Sequence, residues 1–181
     1  MLQIIIIVLV IAADLVSKYL LTPIMMEAGG SIPVLGDWFN LTYVQNTGAS
    51  FGIFQNSVPF FIVVTSIVLI AGIIFMIKTR KTQSLFLKIS LSLVIGGAIG
   101  NFYDRIVFGY VRDFLDFRLS FWHWVFNVAD ACLVVGAIML GVYVLFIHKE
   151  KDGKTLLAKR NKKSPENEAE DKNEEETEEA K

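Results

Sequence analysis

The chain has 181 residues, of which 54% are apolar, and its mean hydropathy is +0.53. This composition excludes an ordinary soluble domain and predicts an integral membrane protein of single-domain length. Residues 164–181 carry nine of the 18 acids but only two of the 17 bases, so the rest of the chain, with 15 bases against nine acids, has a net charge of +6. That charge suits contact with anionic lipid, and the absence of a basic stripe with interleaved aromatic residues argues against a nucleic-acid partner.

The first apolar segment, residues 2–21, is long enough to cross about 30 Å of hydrocarbon. A secretory signal peptide is disfavoured, because no basic region precedes the segment and both Asp14 and Lys18 lie inside it. These two residues are four positions apart and share one helical face, where they can pair or reach a polar cavity. Alternatively, Lys18 extends its ammonium to the interface while its stem packs on apolar surface.

Residues 22–58 contain no lysine or arginine and carry several glycines and prolines, which predicts an irregular external loop. Within it, residues 38–46 alternate between apolar and polar side chains, so we expect one or two short strands there. Trp38 and the nearby phenylalanines suit the headgroup region.

Two further apolar segments, residues 59–77 and residues 89–99, are separated by four bases that indicate the cytoplasmic side. The second continues into a third span, in which Gly96 and Gly100 have the spacing of a small-residue helix contact, and this predicts close packing against another helix.

The fourth span covers residues 126–147 and is followed by a second cluster of bases. The positive-inside rule therefore places both termini in the cytoplasm and residues 110–130 on the outer side. We expect an all-α integral membrane fold of four transmembrane helices, with a small extracytoplasmic β-containing platform between spans 1 and 2. Residues 1–150 would form the membrane domain, and residues 151–181 a cytoplasmic tail, basic and then acidic, whose charge predicts disorder.

Two carboxylates, Asp113 and Asp130, lie at the mouth of the last apolar segment. A charged group at membrane depth costs roughly 2.5 to 3.5 kcal/mol, so acids placed there indicate a functional site. Two carboxylates held close together can share one proton and supply an acid and a base at neutral pH, as in aspartic peptidases. Alternatively, Asp113 caps a turn and Asp130 caps the following helix. Asp116 also lies near, and spacing alone does not decide which acid pairs with Asp130.

Other polar residues fall near the same ends of the spans. Asn127 precedes Asp130 by three positions on one helical face, so its amide can orient the carboxylate or a substrate backbone. Arg105 can hold a carboxylate or carbonyl groups, or it can be a helix-end arginine at the interface. Asn46 can serve as a substrate donor or as an ordinary turn residue ahead of Gly48.

Two residues that often belong to catalytic sites are interpreted differently here. His123 lies between Trp122 and Trp124 and is interpreted as interfacial rather than metal-bound. Cys132 is the only cysteine, so it provides no disulfide within the chain and no cysteine-based metal site.

Five segments closely resemble the lipoprotein signal peptidases, also called signal peptidase II, in their order and spacing. They are DLVSK at residues 14–18, QNTGASFG at 45–52, GGAIGNFYDR at 96–105, VRDF at 111–114 and FNVAD at 126–130. The resemblance implies that Asp113 and Asp130 are the catalytic pair of a membrane aspartic endopeptidase. It assigns substrate binding or site support to eight more residues: Asp14, Lys18, Asn46, Gly48, Asn101, Arg105, Asn127 and Ala129.

The resemblance also implies substrates and a location. Such an enzyme removes signal peptides from diacylglyceryl-modified prolipoproteins at the bond before the lipidated cysteine, in the bacterial cytoplasmic membrane, with its site near the outer face. Its chemistry needs no metal or other cofactor, and globomycin-type cyclic peptides would inhibit it.

Two other classes of protein are weighed against this one. A small proton-coupled transporter or channel would use the same intramembrane acids as a relay, but these acids cluster towards one end and the second span offers none. A structural membrane-assembly protein would leave the clustered acids unexplained.

Overall fold

The computed structural model describes residues 1–48, 55–119 and 122–148. It contains four helices: α1 (Leu2–Glu27), α2 (Val58–Thr79), α3 (Leu85–Phe108) and α4 (Val128–Val142), with a π-helical turn over Tyr143–His148. It also contains four strands: β1 (Ser31–Leu35), β2 (Phe39–Asn46), β3 (Val111–Leu119) and β4 (Trp122–Phe126). The chain divides into two compact units, residues 1–140 and residues 141–181, and the elements described below lie in the first. The predicted disorder of residues 151–181 falls outside the described residues.

Among the described residues, four segments are long and apolar enough to span a membrane. This confirms the four predicted spans. No residue of α2 is buried, whereas 56% of the residues in the most apolar stretch of α3 are buried. The third helix therefore packs among the other elements, while the second presents its sides to the lipid, and the chain is a multi-pass membrane protein.

The first helix is longer than the sequence indicated, because residues 22–27 continue it through Pro23. The prediction of an external loop from residue 22 onward was therefore wrong for residues 22–27. Proline is more frequent in membrane helices than in soluble ones, since neighbouring groups satisfy the backbone carbonyl that it leaves without a donor.

Glycines of α3 allow close contact between helices. A Cβ atom built on Gly96 would lie 2.9 Å from Val10 Cβ, and one built on Gly100 would lie 2.5 Å from a carboxylate oxygen of Asp14. Both contacts are to α1, which confirms the predicted small-residue packing. Because no side chain intervenes at Gly100, the Asp14 carboxylate lies directly against the α3 backbone.

The strands form one antiparallel sheet in the order β1-β2-β3-β4. The expectation of an all-α fold was therefore wrong in part. The expected platform between spans 1 and 2 was also incomplete, because β3 and β4 come from the segment between α3 and α4. The predicted strand at residues 38–46 corresponds to β2. The first strand contains Pro33 and lies at the edge of the sheet, where proline is tolerated.

The third strand, β3, positions Asp113 and Asp116. It follows α3 after Gly109, whose left-handed conformation (φ 76°) ends the helix and turns the chain. An irregularity in the β2–β3 pairing falls between Leu41 and Val44, so the extra residue belongs to β2 and β3 keeps its regular alternation. Asp113 and Asp116, three residues apart, therefore lie on opposite faces of the sheet.

Candidate active site

Asp113 on β3 and Asp130 in the first turn of α4 are joined through a single amide residue, Asn127. The Asn127 side chain donates a hydrogen bond to Asp113 Oδ1 at 2.6 Å, and its backbone N–H donates to Asp130 Oδ2 at 3.3 Å. Asn127 is fully buried. One residue therefore fixes the two carboxylates relative to each other.

The start of α4 is closed by a reciprocal cap. The backbone N–H of Asp130 donates to Asn127 Oδ1 at 2.9 Å, while the Asp130 carboxylate accepts from the Asn127 backbone. The helix-capping alternative for Asp130 is thus correct, but capping uses only one carboxylate oxygen. The other oxygen accepts from Asn101 Nδ2 at 2.6 Å, so the cap and the polar site share the same side chain.

Asp113 does not cap a turn, since it lies within β3 and is only 1% exposed. Its second oxygen accepts from Asn46 Nδ2 at 2.9 Å. Burial and then the negative charge of Asp130 raise the pKa of Asp113 to about 7, against the opposing effect of the hydrogen bonds from Asn46 and Asn127. This carboxyl group therefore keeps its proton to a higher pH than an ordinary aspartate.

Asn46 has the turn role that its sequence context suggested, and its side chain also contacts Asp113. Its side-chain oxygen accepts from the Gly48 backbone N–H at 3.0 Å, as a turn residue does. Its side-chain nitrogen donates to Asp113. The turn therefore orients the amide towards the acid.

Asp116 belongs to a different cluster on the opposite face of the sheet. Its carboxylate accepts from Thr42 at 2.6 Å and from Arg118 at 2.7 Å, and His123 Nε2 lies 2.6 Å from its other oxygen. Burial alone would raise the pKa of Asp116, but hydrogen bonds from Arg118, Thr42 and His123 lower it. Asn127, which binds Asp130, therefore contacts Asp113 and not Asp116. No pattern in the sequence indicated that His123 contacts an acid.

Lys18 lies at the centre of a second, fully buried set of charges. Its Nζ atom is 2.7 Å from Asp14 Oδ2, 3.2 Å from Asp104 Oδ2 and 3.3 Å from Asn101 Oδ1. The alternative in which Lys18 reaches the interface was wrong, because its side chain is 0% exposed. The ammonium positions Asn101, which in turn binds Asp130.

Two charged residues of this set were missed by the sequence analysis. Asp104 is fully buried and also accepts from Arg112, at 2.8 Å from the guanidinium and 3.0 Å from the backbone N–H. A signal for Asp104 was present, since it follows Asn101 by three positions and so shares its helical face. The partnership with Arg112 joins α3 to β3 and had no comparable local signal.

Asp14 links the first span to the fourth. Its Oδ1 atom accepts from the backbone N–H of Ala129 at 3.0 Å, while its Oδ2 atom binds Lys18. Ala129 is fully buried, and a Cβ atom built on Gly100 would lie 3.3 Å from the Ala129 Cβ. Small residues are therefore required where α1, α3 and α4 meet.

Arg105, near the end of α3, borders a cavity of about 290 Å³. Its guanidinium donates to the Gly48 carbonyl at 3.2 Å and lies 5.0 Å from the centre of the Phe61 ring. Its Nε atom is buried and has no hydrogen-bond partner among the described residues. The guanidinium group as a whole lines the cavity and brings a positive charge to it.

The cavity has a polar end and an apolar wall. The polar lining includes Asp130 together with Asn46, Gly48, Asn101 and Arg105. The apolar wall is formed largely by α2, through Phe61, Val64 and Val68, with Leu133 from α4. Because α2 faces lipid, the cavity suits a peptide segment that is held beside the membrane.

The ten residues singled out by the sequence form one connected arrangement, and a protein-family comparison shows the family of the chain. The model of the family described as Signal peptidase (SPase) II matches residues 6–146. The chain belongs to the signal peptidase II family. It is therefore a protease, and the matched region contains all ten of the residues.

Individual relatives of this signal peptidase II family member agree. A lipoprotein signal peptidase of Caldanaerobacter subterraneus subsp. tengcongensis is 48% identical over 143 residues, covering 79% of this chain and 95% of that protein. One from Clostridioides difficile is 40% identical over 150 residues, covering 83% and 99%. A solved structure described as a bacterial membrane enzyme has a TM-score of 0.70 at 36% identity, covering 79% of this chain and 87% of its own. These comparisons give no support to the transporter alternative.

Proposed function

We propose that the chain is a membrane aspartic endopeptidase that removes signal peptides from diacylglyceryl-modified prolipoproteins, at the bond before the lipidated cysteine. The observation that carries this proposal is the bridge formed by Asn127 between Asp113 and Asp130, beside a cavity whose far wall is the lipid-facing helix α2. The relatives named lipoprotein signal peptidases support the substrate class.

In the proposed reaction the pair of acids holds one proton. One carboxyl group keeps its proton and polarises the scissile carbonyl, as the rise in the pKa of Asp113 to about 7 favours, while the other, as carboxylate, accepts a proton from the attacking water. The water oxygen bonds to the carbonyl carbon and gives a tetrahedral diol without a covalent intermediate. The carbon–nitrogen bond then breaks as a proton passes to the leaving amine.

The other residues hold the substrate and the acids. Arg105, Asn46 and Gly48 line the cavity, so these three are assigned to the substrate backbone. The remaining five hold the two acids in position: Asp14, Lys18, Asn101, Asn127 and Ala129. A lipid chain on the substrate would stay in the bilayer beside α2, which lowers the entropy cost of placing the scissile bond.

The proposed location is the bacterial cytoplasmic membrane, with both termini in the cytoplasm and the acids near the outer face. Support comes from four bases at the end of α2, in the following turn and at the start of α3, which mark the cytoplasmic end: Lys78, Arg80, Lys81 and Lys88. Residues 1–150 would suffice for the membrane domain. Globomycin-type cyclic peptides would compete with the substrate for the cavity next to Asp130.

Identification of the product tests this function. Purified protein is incubated with a diacylglyceryl-modified precursor, and the fragments are identified by mass spectrometry. We expect one cleavage, which leaves the lipidated cysteine at the new N-terminus. Cleavage at other bonds, or none by folded protein, would contradict the proposal.

The activity should fall as pH rises through about 7. The reaction needs one proton on the pair of acids, and the pKa of about 7 for Asp113 means that the pair loses this proton in that range. The two acids titrate together, so the alkaline limb of the profile of kcat/KM belongs to both of them. A profile that stays level from pH 6.5 to about 9, with unchanged protein stability, would exclude a shared proton on Asp113 and Asp130.

A further inference from the structure

A second cavity, of about 550 Å³, lies at the other end of the membrane helices from the acids. It is bordered by the start of α1, the end of α2 and the beginning of α3. Lys88 in its wall and Asn101 in the active site are 13 positions apart on α3, or about 20 Å along the helix. The two cavities are therefore separate.

Three cations line this cavity: Arg80, Lys81 and Lys88. Its lining contains no acid, and none of the three makes an ion pair within the part of the chain that the structure describes. By contrast, Lys18 and Arg112 in the interior are each paired with a carboxylate. The second cavity therefore attracts an anion.

The turn that carries Arg80 and Lys81 is held in place by hydrogen bonds. Gln83 is buried, and its side chain donates to Thr79 Oγ1 at 2.6 Å and accepts from Gln3 Nε2 at 3.0 Å. Its backbone N–H donates to the Thr79 carbonyl at 3.2 Å. These bonds tie the start of α1 to the turn between α2 and α3, so the cations are held opposite the α1 wall.

The rest of the wall is apolar and continues into the lipid-facing surface. Leu2, Ile4, Met76 and Ile77 line the cavity, and Ile4 and Ile77 are 59% and 60% exposed. An occupant that matches both parts needs an anionic group and an apolar chain. Basic pockets between membrane helices bind the headgroups of anionic lipids for this reason.

We propose that this cavity binds an anionic membrane phospholipid. Its phosphate would lie among Arg80, Lys81 and Lys88, and an acyl chain would follow the apolar surface of Ile4 and Ile77. Arginine matches phosphate oxygens with two parallel donors, while each lysine contributes a point charge. The site is independent of the cleavage reaction and does not rest on the proposed function.

Native mass spectrometry of the full chain in detergent tests this site. The protein is titrated with phosphatidylglycerol and, separately, with phosphatidylcholine of the same acyl chains, which has no net charge. We expect preferential retention of phosphatidylglycerol. The triple variant R80Q/K81Q/K88Q should bind it on the order of a hundredfold more weakly, because each basic residue contributes about fivefold, while phosphatidylcholine binding should change little.

Lys78→Gln is the matched control, because Lys78 is exposed on the last turn of α2 and does not line the cavity. It should retain phosphatidylglycerol within about twofold, whereas Lys88→Gln alone should weaken it about fivefold. The single variants decide the question if the triple variant does not fold. Equal retention of the two lipids by the unmodified chain, equal losses in Lys78→Gln and Lys88→Gln, or complete displacement of the lipid by inorganic phosphate would overturn the proposal.

Discussion

Asp113→Asn and Asp130→Asn are each expected to reduce kcat by roughly 10³-fold or more, because each change removes one of the two groups that transfer protons. Both substitutions keep the shape of the side chain. Asparagine at residue 130 can still accept from the Asn127 backbone N–H, so the cap of α4 should survive. Single-turnover cleavage of a lipidated precursor, with thermal unfolding to confirm folding, measures the effect.

Asp116→Asn is the matched control for these variants. Asp116 is buried on the same strand as Asp113, but it binds Thr42, Arg118 and His123 on the opposite face of the sheet. This variant should lose some stability and keep most of its activity per folded molecule. Normal turnover by Asp113→Asn, together with an inactive but folded Asp116→Asn, would transfer the catalytic role to Asp116.

Lys18→Met is expected to destabilise the protein by roughly 3 to 5 kcal/mol, since removal of one partner leaves an uncompensated buried charge. Here Lys18 is within 3.2 Å of both Asp14 and Asp104, and all three side chains are 0% exposed. Methionine has a similar length and fits an apolar interior, so the lost charge rather than a cavity dominates the effect.

Thermal unfolding in one detergent measures this loss, and Lys78→Met provides the control. Lys78 is exposed in the last turn of α2, so its replacement should change stability by less than about 0.5 kcal/mol. If Lys18→Met were as stable as Lys78→Met, the buried ammonium would not hold Asp14 and Asp104, and the support assigned to Lys18 would be wrong.

The membrane spans were predictable because long apolar segments have few alternatives in a bilayer. The strands within residues 111–126 were harder to predict from the sequence. β3 carries buried residues on both faces, with Asp113 on one and Phe114 and Asp116 on the other, so the two-residue alternation that reveals a half-buried strand is absent. The edge strand β1 was hidden by Pro33.

The site was predictable in its residues but not in its connections. The sequence motifs pointed to Asp113 and Asp130, whereas the bridge through Asn127 depends on β3 and α4 meeting in space. Asp104 and Arg112 are eight positions apart and meet only because Gly109 reverses the chain between them. Pairings of this kind follow from the tertiary fold and leave no periodic pattern in the sequence.

The central claim, that this chain cleaves lipid-modified precursors with the pair Asp113 and Asp130, is tested most directly by one comparison of initial rates. The purified chain is given the same precursor with and without the diacylglyceryl group on its cysteine. We predict rapid cleavage of the lipidated form and little of the other, with both rates lost in Asp113→Asn. Equal rates on the two precursors, or a lipid-dependent rate that Asp113→Asn retains, would contradict the claim.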